Sequence, residues 1–216
     1  MKIKLNSDFL DIYDHYFCQS WENEDEIFDR MSINDISRMQ MFMFFEDLGI
    51  KTPIWGYINR SLKYERLSYE LRDVVVYLDE FSHRGNRKLK MPFSEACQNF
   101  DGYLCSQYVN NYNKCSESYR YLKVGRYTFL LKYTSNHEWM SNCGNVDIKI
   151  LKQFDFDYYN IDCPLYAIDF VEKDFTKYAV DFNTSPGLKN TGIEAYLTNK
   201  QIYEEIENFY LTKNKK

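Results

Sequence analysis

The 216-residue chain is 44% hydrophobic and 27% charged, a globular balance that excludes a wholly disordered chain and leaves room for one large core or two modest lobes. Its net charge of −5 argues against nucleic acid as the main partner, which would call for a basic footprint. No apolar run approaches the roughly 20 residues that span a bilayer, so no membrane partner is expected.

Met1–Leu5 reads as a short strand, Asp11–Trp21 has helical spacing and contains His15, and Glu22–Glu26 is an acidic turn. Asn34 or Asp35 can cap a helix running through Ile36, Met39, Met43 and Leu48, with Gly49 at its end. With Phe42, Phe44 and Phe45 that helix is apolar nearly all round, which predicts deep burial. Pro53 starts an extended piece, and Asp73–Leu78 is a strand rich in valine. Ser82–Lys88 is a polar, basic loop, Lys88–Met91 a returning strand, Pro92–Phe100 a short helix and Leu104–Val109 another strand. Ser118–Val124 and Tyr127–Tyr133 form a hairpin with Gly125-Arg126 as its turn. A polar loop, Thr134–Asn145, leads to Val146–Leu151, which fits either a strand or a helix start. Thr198 and Gln201 have capping-box spacing ahead of a helix whose apolar face is Ile202, Ile206 and Phe209.

Between these lies Leu165–Leu188, two strand-like runs closed by Ser-Pro-Gly. A hairpin centred on Phe175 sets Asp169 opposite Asp181, with Asn183 on the same face beside Ala167, Val171 and Ala179. Cross-strand neighbours lie roughly 5 Å apart. Two carboxylates about 4 Å apart repel by about 4 kcal/mol at an effective dielectric near 20, so a positive group belongs between them. A hard divalent cation with oxygen ligands suits that place. An ordinary hairpin with a solvated acidic face is the alternative. The six cysteines, at 18, 97, 105, 115, 143 and 163, form no CxxC pair and no zinc-like cluster with histidine. Scattered single thiols, with no signal peptide in view, fit a reducing cytoplasmic setting.

The order of these motifs resembles the ATP-grasp superfamily, in particular its glutathione-synthetase-like and RimK-type carboxylate–amine ligases. Asp169, then Asp181-Phe182-Asn183, then Pro186-Gly187 resemble the family's strand with Asp, its Glu-x-Asn strand and its Pro-Gly. The resemblance implies that Asp169, Asp181 and Asn183 hold Mg²⁺ on the phosphates of ATP. Asp181 replaces the usual Glu with an arm one methylene shorter. RMQMFMFFEDLGIKTP resembles the helix and turn that begin the ATP-binding lobe, and NHEWMSNCGN the Trp-x-x-Asn loop, with Asn142 at the Asn position. SYRYLKVGRYTFLLKYTS resembles a hairpin whose arginine, here Arg120, faces phosphate or substrate. LCSQYV resembles the hinge that reads adenine, with Gln107, Tyr108 and Val109 as its residues. VVVYLDEFSHRGN departs from the pattern: Tyr77 or Leu78 takes the usual lysine's place and only Gly85 represents the phosphate loop's glycines, leaving Arg84, Arg87 and Lys88 to supply charge. A solvated basic loop is the plainer account of that segment.

The resemblance implies an α+β fold of two lobes with mostly antiparallel sheets: a shortened N-terminal segment at 1–34, a first lobe at 35–115 and a second, metal-bearing lobe at 116–216. It implies an ATP- and Mg²⁺-dependent ligase joining a carboxylate to an amine through an acyl phosphate, with small molecules or peptides as substrates. A partner protein could supply the missing N-terminal half. Two other readings remain: a degenerate relative that binds nucleotide or a partner without ligation, and an unrelated metal-dependent phosphotransferase or nuclease using the same aspartates.

Overall fold

A computed structural model of the chain describes residues 3–4, 22–23, 37–59, 72–81, 87–109, 115–183, 186–188 and 190–213. The helix expected at Asp11–Trp21, with His15, and the loop residues Ser82–Asn86, which include Arg84 and Gly85, lie outside the described residues. The chain divides into two compact units: one of residues 1–35, 115–170 and 181–216, the other of 36–114 and 171–180. No helix among the described residues is long and apolar enough to cross a membrane.

Two short strands of the first unit, β1 (Ile3–Lys4) and β2 (Glu22–Asn23), pair antiparallel. The second unit opens with α1 (Arg38–Asp47), followed by β3 (Trp55–Tyr57), β4 (Asp73–Tyr77), β5 (Lys88–Pro92), α2 (Phe93–Asn99) and β6 (Leu104–Gln107). The four strands form one antiparallel sheet in the order β3-β6-β4-β5. Val74 and Val76 of β4 pack with Phe93 and Ala96 of α2 on one face. Tyr77 meets Phe42 of α1 edge-on, and Phe42 also stacks on Trp55 at 5.5 Å. β4 is therefore covered on both sides, which explains a run of valines in place of an apolar–polar alternation.

Two details of α1 differ from expectation. Its cap is Ser37: the Ser37 hydroxyl accepts the Gln40 N–H, and the Gln40 side chain accepts the Ser37 N–H. This reciprocal pair satisfies two otherwise orphaned donors at once. The helix also buries one stripe only, Arg38, Met41, Phe42 and Phe45, while Met43 is 48% exposed. Spacing of three and four residues gives one buried face against one sheet, whatever the composition of the opposite face.

The remaining strands are β7 (Ser116–Val124), β8 (Tyr127–Ser135), β9 (Val146–Phe154), β10 (Leu165–Lys173) and β11 (Thr176–Asn183). They form a five-stranded sheet in the order β11-β10-β7-β8-β9. Val146–Leu151, which fitted a strand or a helix start, is strand. Val124 pairs with Tyr127, so Gly125-Arg126 is the two-residue turn the sequence indicated. The C-terminal helix α3 (Asn199–Lys213) lays Ile202 and Ile206 on Leu122, Val124, Phe129, Leu131, Leu165 and Ala167. Thr198 and Gln201 cap it reciprocally. Gly125 adopts φ 57°, and a Cβ there would come within 2.3 Å of the Glu205 Cβ, so both the turn and the close approach of α3 require glycine.

Candidate functional site

The β7–β10 register sets Arg120 opposite Asp169, and alternation puts both on the face that carries Leu122 and Ala167. The two side chains are joined by a bidentate pair: Nε donates to Oδ1 at 2.6 Å and Nη2 to Oδ2 at 2.8 Å. They retain only 12% and 17% of their side-chain exposure. The guanidinium carbon lies 5.0 Å from the centre of the Tyr133 ring. Burial works against the charged form of Arg120, but Asp169, Tyr133 and Asp181 outweigh it and raise its pKa above the ordinary arginine value. The positive group that the carboxylates require is thus supplied by the protein: Arg120 holds Asp169 directly and feels the charge of Asp181.

Asp181 and Asn183 share a face of β11 by alternation, both half-buried. The β10–β11 turn is Asp174-Phe175, with φ 51° and 60°. Asp169 and Asp181 both act on Arg120. Among the described residues no group of three or more His, Cys, Asp or Glu is placed to hold a metal ion. A cation here would need Asn183, water or phosphate oxygens to complete its shell. Each oxygen of an ionised carboxylate has two acceptor positions, and Arg120 occupies one on each oxygen of Asp169. The oxygen-only donor set suits a hard divalent cation.

Asn142 lies exposed in the loop between β8 and β9. Ser141 in that loop donates to Ser118 at 2.6 Å, anchoring it two residues before Arg120 on the same face of β7. Ser135 donates to the Cys143 carbonyl, and the Asn136 side chain accepts the Asn145 N–H, closing the loop at its base.

In the other unit, Gln107 ends β6 opposite Val74, and its N–H donates to the Ile54 carbonyl at 2.7 Å. The Tyr108 N–H donates to the Asp73 carbonyl at 3.0 Å, and Val109 is buried. The Lys88 ammonium lies 5.7 Å from the centre of the Tyr77 ring. Tyr77 is buried and its hydroxyl lies 3.0 Å from the Ser106 hydroxyl.

Three participants were not singled out from the sequence. Tyr133 sits opposite Ser118, on the face of Arg120, and the two-residue turn at Gly125-Arg126 was enough to locate it. Lys90 lies 4.2 Å over the Tyr108 ring, but no local motif marks it. On the reverse face of the five-stranded sheet, Asp157 accepts from Lys123 at 2.7 Å, Tyr166 at 2.6 Å and Tyr121 at 3.0 Å. Burial alone would raise the pKa of Asp157; the bonds from Lys123 and Tyr166 outweigh it and hold the carboxyl below its ordinary value.

The fold is that of the ATP-grasp ligases: two antiparallel sheets with a few packed helices, matched by solved structures of that class across about four-fifths of the chain. One similar structure is D-alanine–D-alanine ligase from Bacillus anthracis complexed with ATP, at TM-score 0.53 and 12% identity, covering 83% of this chain and 67% of that one. Another is the ATP-grasp ligase PsnB with a phosphomimetic variant of its minimal precursor, Mg and ADP, at TM-score 0.53 and 10% identity, covering 81% and 59%. A third is a RiPP-associated ATP-grasp ligase from Chryseobacterium gregarium with ADP and a leader and core peptide, at TM-score 0.50 and 13% identity, covering 82% and 60%. The chain thus spans about three-fifths of the PsnB and Chryseobacterium chains. No family model and no curated protein matches it.

Proposed function

We propose that this chain binds ATP with Mg²⁺ and joins a carboxylate to an amine. The observation that carries the reading is the buried Arg120–Asp169 pair, with the charge of Asp181 felt by the same guanidinium. In this reading the two units correspond to the two lobes, except that residues 171–180, expected in the second lobe, belong with 36–114; Asp169, Asp181 and Asn183 would hold the Mg²⁺, which would neutralise phosphate charge. Arg120 offers a permanently charged planar fork to the transferred phosphoryl group. Lys88 and Arg84 add charge at the phosphates, Gln107, Tyr108 and Val109 hold the adenine, and Asn142 lines the phosphate end.

The substrate carboxylate oxygen attacks the γ-phosphorus and ADP departs. The amine then attacks the acyl carbon of the resulting acyl phosphate, losing a proton as inorganic phosphate leaves. The acid and amine are small molecules or peptide groups; the PsnB and Chryseobacterium structures were solved with peptides, which makes peptides the first substrates to try. The described cysteines 97, 105, 115, 143 and 163 are in no disulfide, in keeping with a cytoplasmic setting. ADP release in the presence of candidate acids and amines tests the activity. Folded protein that shows no calorimetric ATP binding in Mg²⁺ refutes it.

A second reading, nucleotide binding without ligation, draws on one observation. Neither residue at the expected lysine's place supplies a cation: Tyr77 is buried with its hydroxyl 3.0 Å from that of Ser106, and Leu78 is uncharged. Asp181→Asn separates the two: a ligase loses turnover, whereas a non-catalytic binder has no turnover to lose.

A further inference from the structure

Arg38, at the first position of α1, is 1% exposed. Its backbone N–H donates to the Glu80 carbonyl at 2.9 Å, and its guanidinium carbon lies 5.6 Å from the centre of the Tyr77 ring. Its Nη1 contacts the Met41 sulfur at 3.4 Å and donates to the carbonyl of Val180, 142 residues away, at 3.2 Å. Val180 belongs to β11, the terminal strand of its sheet. A second bond from outside the sheet reaches the same spot, the Ala179 N–H donating to the Lys51 carbonyl at 2.8 Å.

The Val180 carbonyl is part of the peptide plane that contains the N and Cα of Asp181. A group that fixes that carbonyl therefore fixes the plane from which the Asp181 side chain departs. A buried guanidinium is costly to desolvate and is a rigid, planar donor, unlike a flexible ammonium. We propose that Arg38 is a positioning residue for Asp181: through the Val180 carbonyl it sets the direction in which the Asp181 carboxylate is presented to a metal–nucleotide ligand. This rests on the Mg²⁺–ATP reading above, and assigns Arg38 no contact with the ligand.

The test compares calorimetric affinity for a non-hydrolysable ATP analogue in Mg²⁺ with that in EDTA, for wild type, Asp181→Asn, Arg38→Gln and Arg38→Lys, each checked for folding by circular dichroism. Gln is neutral and too short to reach Val180; Lys keeps the charge and N–H donors but not the planar fork. The metal-dependent gain in affinity is expected to fall about tenfold in Arg38→Gln, as for loss of one charge-assisted hydrogen bond, and about threefold in Arg38→Lys, with affinity in EDTA unchanged. Equal losses with and without metal would show a general structural role and overturn the proposal. So would a full metal-dependent gain in Arg38→Gln alongside its loss in Asp181→Asn, which leaves the site reading intact. If Arg38→Gln does not fold, an undiminished gain in Arg38→Lys overturns the proposal. Wild-type protein that binds no analogue in Mg²⁺ overturns both readings.

Discussion

Replacing Asp169 by Leu and Arg120 by Met, singly and together, probes the pair on which the site is built. The nearest contact is 2.6 Å and both side chains are largely buried. At about 3 Å and an effective dielectric near 20, the attraction is about 5–6 kcal/mol before desolvation. Desolvation costs several kcal/mol per ion and offsets the pair's net contribution to stability, but it belongs to each residue singly and cancels in a double-mutant cycle; with partial exposure and Asp181 also acting on Arg120, a coupling of about 2–3 kcal/mol is expected. Each single variant leaves one buried charge without its main partner, which costs about 3 kcal/mol; Asp181 and Tyr133 soften the loss for Arg120. The double variant removes both charges and should be less destabilised than the sum of the singles by that coupling. Urea unfolding of the four proteins closes the cycle. Additivity within about 0.5 kcal/mol would refute the reasoning, because it would mean that the two side chains are not coupled.

Gly125→Ala should lower stability by about 2–4 kcal/mol in urea unfolding, since it combines a left-handed backbone with a Cβ 2.3 Å from the Glu205 Cβ. A loss below about 0.5 kcal/mol would show that α3 moves aside freely. The pKa of Asp157 is depressed in the folded state, so its contribution is complete above the ordinary aspartate range and is lost as pH falls through the lower folded value. Asp157→Asn should therefore narrow the stability difference from wild type at acid pH, measured by unfolding from pH 7 down to pH 2; a constant difference would contradict this. Burial pushes the Cys105 thiol up to about 12, with neighbouring Cys97 adding to the effect, whereas Cys115 is exposed. Alkylation at pH 8 followed by peptide mass spectrometry should label Cys115 in native protein and Cys105 only after unfolding.

Much of the fold was legible because its signals are local. The valine run of β4, the Gly125-Arg126 turn and the Thr198–Gln201 cap each lie within a few residues of chain. The cap of α1 was misplaced among closely spaced candidates because Asn34, Asp35 and Ser37 are all competent, and only the bond geometry selects Ser37.

By itself the sequence placed β4, β7, β8 and β10 as strands and the faces along each, because alternation at period two and a two-residue turn leave little freedom; β9 it left open between strand and helix. It placed Arg120 on β7 and Asp169 on β10, and indicated that paired acids need a positive neighbour. Only the tertiary structure decided that the neighbour is Arg120, 49 residues from Asp169, and that Val180 is gripped by Arg38. Periodicity specifies a face, but which strands adjoin, and which side chains meet across them, depends on packing between segments far apart in the chain.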